Sequence, residues 1–278
     1  MRKINSLKIK ETITTLLKEA AYDLPKEVES AMKKSYKKSN LSKLEKNILK
    51  ELIDNINIAR EEKMPLCQDT GTATIFIEIG QDVHITGDFY KAINDGAVEA
   101  YKNLRKSIVG HPLTRENTKD NAPVNLHMNI IPGDKIKITV LPKGGGAENA
   151  SLLKMLLPTS SEEDIIDAIV THVKENGTKA CPPLIIGIGL GGTFDNVATL
   201  AKKALLRPIE SFNKDKKIAK IEKILLKKIN GTNVGPMGVG GETTALAIHI
   251  ETAPCHIASL PLAINLQCHS HRHKEATI

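Results

Sequence analysis

Hydrophobic spacing divides the chain into two regimes. Ile9, Ile13, Leu16, Leu17 and Ala20 recur at three- and four-residue intervals, as do Leu44, Ile48, Leu49, Leu52 and Ile56. Each set makes one apolar helix face. Asn40 or Ser42 can cap the second helix, and Pro25 suits the first turn of a short helix between the two. The period then shortens. Residues 72–79 (TATIFIEI) are rich in β-branched residues and read as a strand leaving the polar turn Cys67-Gln68-Asp69-Thr70-Gly71. Phe89, Ile93, Ala97, Ala100, Tyr101 and Leu104 mark a further helix, with Arg105 near its end.

Val124, Leu126, Met128 and Ile130 alternate with polar residues, as do Ile136, Ile138 and Val140. With Pro132-Gly133-Asp134 between them, these runs predict an antiparallel hairpin. Beyond Lys143-Gly144-Gly145-Gly146, the stretch Ser160-Ser161-Glu162-Glu163 predicts a capped helix ending at Gly177. Residues 184–190 read as a buried strand, 194–206 and 216–229 as helices, and 244–251 as another strand after the glycine-rich bend 235–241. A hairpin beside helix-flanked strands predicts a mixed α/β (α+β) architecture. Residues 1–62 read as a helical N-terminal layer and 63–278 as a mixed α/β region, together one continuous domain.

Composition narrows the function classes. At 41% hydrophobic and 26% charged residues the chain is an ordinary globular sequence, and with 3% aromatics and no Trp its core rests on aliphatic side chains. Its apolar runs are far shorter than the ~20 residues of a membrane span. The N-terminus has no signal-peptide hydrophobic region, so the chain is expected to be cytoplasmic. The formal charge of +7 comes from Lys residues interleaved with Glu, without a basic face bearing stacking aromatics. That pattern fits a solvated surface or an acidic small-molecule substrate and argues against nucleic acid.

Two features could carry chemistry. Gly187-Ile188-Gly189-Leu190-Gly191-Gly192 fits GxGxxG between a strand and a helix, the mark of a nucleotide-binding oxidoreductase. The fingerprint also needs an acidic residue ~20 positions on, at the end of a second strand. Glu210 is near that distance but follows Pro208, with no strand before it. A tight strand-to-helix turn is the simpler account. The cysteines are the second feature. Cys67, Cys181 and Cys268 stand at element boundaries beside polar or rigid neighbours, unlike the usual buried thiol, and Cys255 is ambiguous. Their spacing matches no compact iron–sulfur run. Cys268, His269, His271 and His273 offer zinc ligands for a non-catalytic, metal-stabilised subunit, or a frayed, solvated tail.

Several segments together resemble one family, the iron–sulfur-dependent class I fumarases and L-tartrate dehydratases. These are PLCQDTGTA at 65–73, NLR at 103–105, NAPVNLHM at 121–128, KGGGAEN at 143–149, ACPP at 180–183, GLGGTFDN at 189–196, GPMGVGGETTA at 235–245 and CHIASLPLAINLQCHSHRH at 255–273. They run in order from about residue 65 to the C-terminus.

The resemblance implies a hydro-lyase α subunit working with a smaller β subunit, as a heterotetramer, on fumarate or on L-tartrate. It implies a [4Fe–4S] cluster held by Cys67, Cys181 and Cys268, with one iron left without a protein ligand. It further implies substrate contacts from Gln68, Arg105 and the backbone of Gly144, Gly145 and Gly146, with Asp69 and His256 in catalytic roles. Lys143, His127 and Asn149 follow as secondary candidates.

Overall fold

The computed structural model describes residues 1–278. The chain runs through β1 (Arg2–Asn5), α1 (Ser6–Tyr22), α2 (Lys26–Tyr36), α3 (Lys43–Glu62), β2 (Thr72–Gly80), β3 (Val83–Thr86) and α4 (Phe89–Ala100). It continues with β4 (Asn125–Ile131), β5 (Ile136–Lys143), the short α5 (Gly145–Asn149), β6 (Leu152–Leu156), α6 (Glu162–Asn176) and β7 (Leu184–Gly191). It ends with α7 (Val197–Ala204), α8 (Lys216–Asn230), β8 (Ala245–Ala253), β9 (Leu260–Gln267) and β10 (Lys274–Thr277). The class is mixed α/β, as the sequence predicts. No helix is long and apolar enough to cross a membrane.

The chain forms two compact units. One comprises residues 1–25, 56–145 and 272–278, the other 26–55 and 146–271. The helices of the first sixty residues are therefore shared between the units, and α3 runs from one into the other.

The first unit is built on a four-stranded sheet in the order β10-β5-β2-β4. Ile9, Ile13 and Leu17 of α1 and Ile93 and Ala97 of α4 meet Ile75, Ile77, Ile136, Ile138 and Val140 of the sheet. Ile9, Ile13 and Leu17 are completely buried, each contributing on the order of 1.5–3 kcal/mol. Gly96 lets α4 lie against α1, because a Cβ there would sit 3.0 Å from the Lys10 carbonyl. Helix α4 ends at Ala100, so Arg105 lies beyond a turn closed by the Leu104 N–H on the Tyr101 carbonyl.

One pairing differs from the sequence reading. β4 and β5 do not form a hairpin, because β2 lies between them, parallel to β4 and antiparallel to β5. The connection carrying Pro132-Gly133-Asp134 crosses the end of β2 instead. There the Gly80, Gln81 and Asp82 N–H groups donate to the carbonyls of Lys135, Ile131 and Gly133. Alternation marked both strands correctly but says nothing about which strand lies beside which. The extreme N-terminus is also a strand, β1, paired in parallel with β3.

The second unit carries a sheet in the order β6-β9-β7-β8, with β7 parallel to β8 and antiparallel to β9. Its core joins Ile166, Ile169 and Val173 of α6 and Leu225 and Ile229 of α8 to Leu184, Ile186 and Ile188 of β7. Helix α6 opens on a capping box in which Ser161 and Asp164 bond each other's backbone N–H. At the start of α3, Ser42 Oγ accepts from the Glu45 N–H and caps the helix. Met32, Leu49 and Leu52 form a separate apolar cluster, with Leu246 packed against it.

Candidate active site

In the first unit, the Cys67 turn is fastened by its aspartate. Asp69 Oδ1 accepts from the Gly71 N–H at 2.9 Å and from Ser107 Oγ at 3.1 Å, while Oδ2 accepts from the Gly145 N–H at 2.7 Å. The first is an Asx-type bond within the turn. The other two draw the loop after α4 and the glycine-rich loop after β5 onto the turn. Gly71 has a φ of 75°, and a Cβ on it would lie 2.6 Å from the Lys143 carbonyl, so only glycine lets the turn lie on β5. The Arg272 guanidinium donates to the Asp69 carbonyl at 3.0 Å from the other side.

The remaining first-unit candidates gather around this knot. Cys67 is half-buried, and its Sγ accepts from the Asp69 N–H at 3.4 Å while contacting Gln68 Oε1 at 3.4 Å. Gln68 and Arg105 are exposed. The Arg105 carbonyl accepts from Thr70 Oγ1 at 2.7 Å and from Asn121 Nδ2 at 3.0 Å, which anchors the arginine's backbone beside the turn. The same Asn121 accepts from the Ser107 N–H at 2.6 Å. Gly144 is half-buried and Gly145 exposed, and a Cβ added at either would meet Asp69 Oδ2, at 3.4 and 3.7 Å. Lys143 is 2% exposed, and His127 stacks on Phe76 with ring centroids 4.7 Å apart.

The second unit holds the other candidates. Cys181 is exposed and adopts the left-handed conformation, φ 53° and ψ 71°, at the end of the 3-10 turn Gly177–Ala180. Its carbonyl accepts from the His269 N–H at 3.2 Å, so the Cys181 turn and the half-buried Cys268 are joined through adjacent backbone. Cys255 and His256 are exposed in the turn between β8 and β9. His256 Nδ1 accepts from the Ala258 N–H at 3.1 Å, which leaves the proton of the neutral ring on Nε2. Gly146 is exposed, and a Cβ there would press on the Lys179 carbonyl at 3.0 Å. Asn149 is exposed at the end of α5.

Two alternatives meet the same geometry. Gly187 and Gly189 lie within β7, not in a phosphate loop. A Cβ at either would come within 2.1 Å of the Ala201 carbonyl or 2.2 Å of the Val197 carbonyl, so these glycines exist to let α7 lie directly on the strand. The C-terminal histidines are not a frayed tail. His271 is buried, with Nε2 2.9 Å from the Leu205 carbonyl, and residues 274–277 pair with β5. The chain gathers no group of three or more Cys, His, Asp or Glu side chains placed to hold a metal ion.

The cysteines nevertheless suit an iron–sulfur cluster in donor chemistry. None of the four is in a disulfide, and none of Cys67, Cys181 and Cys268 is fully buried. Backbone donation to Cys67 Sγ is of the kind that tunes cluster ligands. The sequence reading did not include Ser107, Thr70 or Arg272 among site residues. Ser107 and Thr70 are short hydroxyl residues in loops, visible as partners only once the Asp69 knot is folded.

Comparison with known proteins decides the family. Residues 10–277, nearly the whole chain, match the family described as "Fumarate hydratase (Fumerase)". The chain belongs to the fumarate hydratase family. It is thus a member of a hydro-lyase family, and the motif resemblance noted in its sequence is borne out. A Methanocaldococcus jannaschii protein named "Putative L(+)-tartrate dehydratase subunit alpha" is 44% identical over 275 residues, covering 96% of each chain. The L(+)-tartrate dehydratase subunit alpha of Escherichia coli (strain K12) is 29% identical over 245 residues, covering 86% of this chain and 80% of its own.

Proposed function

We propose that this chain is the α subunit of a two-subunit hydro-lyase that adds water to, or removes it from, a four-carbon dicarboxylate. Its ligands to a [4Fe–4S] cluster are Cys67, Cys181 and Cys268, and its partner is a β subunit that completes the substrate pocket. The observation that carries the reading is the Asp69 knot. One carboxylate ties the Cys67 turn, the Ser107 loop and the Gly145 backbone into a single constellation, and the chain matches a hydro-lyase family from end to end.

Such a cluster supplies an iron without a protein ligand, a Lewis acid suited to a hydroxyl that enters or leaves. The chain's own residues do the rest. Arg105 and Gln68, exposed on an anchored backbone, bind substrate carboxylate, the arginine by a charge-assisted fork. The Gly144–Gly146 segment offers backbone N–H donors, one of which Asp69 already fixes in place. Asp69 itself has both oxygens engaged, so its part is to hold this geometry. His256, with its Nδ1 held by the Ala258 N–H, presents an Nε2–H that donates a hydrogen bond to, and so orients, the hydroxyl that enters or leaves.

Fumarate, hydrated to malate, is the first substrate reading, because the family matched over residues 10–277 is a fumarate hydratase. L(+)-tartrate, dehydrated to oxaloacetate, is the second, because the relatives carry that name. Assaying the anaerobically purified chain, together with its β subunit, on both substrates separates the two. Turnover of fumarate at least tenfold faster in kcat/KM supports the first reading, and the reverse preference replaces it with the second.

A further inference from the structure

The bend at residues 235–241 is a tightly constrained loop of the second unit, and the proposed function leaves it without a role. Gly235 has a φ of 68° and Met237, a non-glycine residue, a φ of 52°. Left-handed backbone at such a side chain persists only where the surroundings over-determine it. A Cβ on Gly235 would lie 1.9 Å from the Gly240 carbonyl, so the loop is folded tightly on itself.

Two bonds connect this loop and the residues just after it to the Cys181 turn. The Met237 N–H donates to the Pro182 carbonyl at 2.8 Å, and the Leu184 N–H donates to the Thr244 carbonyl at 2.8 Å. Cys181, the second left-handed non-glycine residue of the pair, stands directly before Pro182. The loop's far end is held by Glu45. This glutamate is 1% exposed, and its Oε1 accepts from the Glu242 and Thr243 N–H groups at 3.0 Å each. The contact is close enough that a Cβ on Gly241 would sit 2.4 Å from the Glu45 carboxylate carbon. Glu45 lies three residues after the cap Ser42, where a capping-box glutamate would turn back to its own helix. Here its Oε1 serves a segment almost two hundred residues further along the chain.

We propose that Glu45 is a positioning residue for the Cys181 thiol. By fixing residues 242–243 it holds the 235–241 loop in its strained form, and Met237 and Thr244, on either side of that anchor, hold the Pro182 and Leu184 backbone on the C-terminal side of Cys181. Its meaning for catalysis rests on the reading of Cys181 as a cluster ligand, but the coupling itself is a property of the polypeptide without iron.

Site-resolved amide hydrogen exchange on the full-length, iron-free chain tests it. The reporters are Met237, which donates to Pro182, and His269, which donates to Cys181. Glu45→Ala is expected to speed exchange at both by tenfold or more, with the α6 amides of Ile166–Val173 unchanged. Glu45→Gln keeps an oxygen acceptor at Oε1 and is expected to restore both amides to within threefold of the parent. Acceleration confined to Glu242 and Thr243 overturns the proposal, as does equal acceleration in the Gln variant. If the Ala variant does not fold, Glu45→Asp, whose carboxylate falls short by one methylene, takes its place. Parent-like exchange at Met237 and His269 in that variant also overturns the proposal. Iron uptake by the parent chain is measured in parallel. Its failure removes the cluster reading and leaves the exchange result standing.

Discussion

Asp69 and Gly145 are joined by a 2.7 Å hydrogen bond from the glycine N–H to the carboxylate Oδ2, across 76 positions of sequence. The other oxygen serves Gly71 and Ser107. This half-buried carboxylate is the point where the cysteine turn and the glycine loop become one structure.

Asp69→Asn tests that relationship. The amide keeps one oxygen acceptor but presents an NH2 group to a backbone N–H, so one side of the knot becomes donor against donor. Hydrogen bonds to a charged group contribute about 1.5–3 kcal/mol each, less where water reaches them. Loss of about 2 kcal/mol in urea unfolding is expected, with kcat lowered at least a hundredfold. A variant with parent kcat would show that the knot does not govern the site.

Gly187→Ala separates helix packing from nucleotide binding. The added methyl would meet the Ala201 carbonyl at 2.1 Å, a clash with backbone and not with a flexible side chain. Overpacking of this kind costs roughly 1–3 kcal/mol or more, and the urea midpoint is expected to fall accordingly. An alanine variant of parent stability would remove the packing account of these glycines.

His249 makes stability depend on pH. It is 1% exposed on β8, and its pKa is lowered to about 4, first by burial and then by the charge of Arg207, with Glu222 pulling the other way. Below its ordinary value of 6.5 the unfolded chain takes up a proton that the folded chain refuses. Folding stability therefore declines as pH falls from about 6.5 to about 4, by on the order of 2–3 kcal/mol from this residue. Urea unfolding of the parent and of His249→Phe across that range measures it. The parent should lose the extra increment, and parallel curves would contradict the assignment.

Much of this fold could be read in the chain. The faces of α1 and α3, the Ser161 capping box and β2 all follow from local spacing, because a helix or strand face is written every few residues. Strand partnership is not local. Leu126 and Ile138 alternate as well in a hairpin as in the observed sheet, and only the crossing of the 131–135 loop over Gly80 decides between them. The short β1, β3 and β10 carry too few residues for any period. Likewise, Gly187 and Gly189 satisfied a phosphate-loop pattern because close helix packing and close phosphate approach ask the same thing of a glycine. At the site, motif resemblance supplied Cys67, Asp69 and Arg105, whereas Ser107 and Glu45 emerge only from partners far away in sequence.

The most direct measurement is of iron and acid-labile sulfide in the chain purified anaerobically with its β subunit, alongside hydration of fumarate and dehydration of L-tartrate. About four irons and four sulfides per chain are expected, with turnover of one of the two diacids, and with loss of both cluster and turnover in Cys67→Ala, Cys181→Ala and Cys268→Ala but not in Cys255→Ala. A preparation active on either diacid without iron or sulfide would contradict the cluster reading.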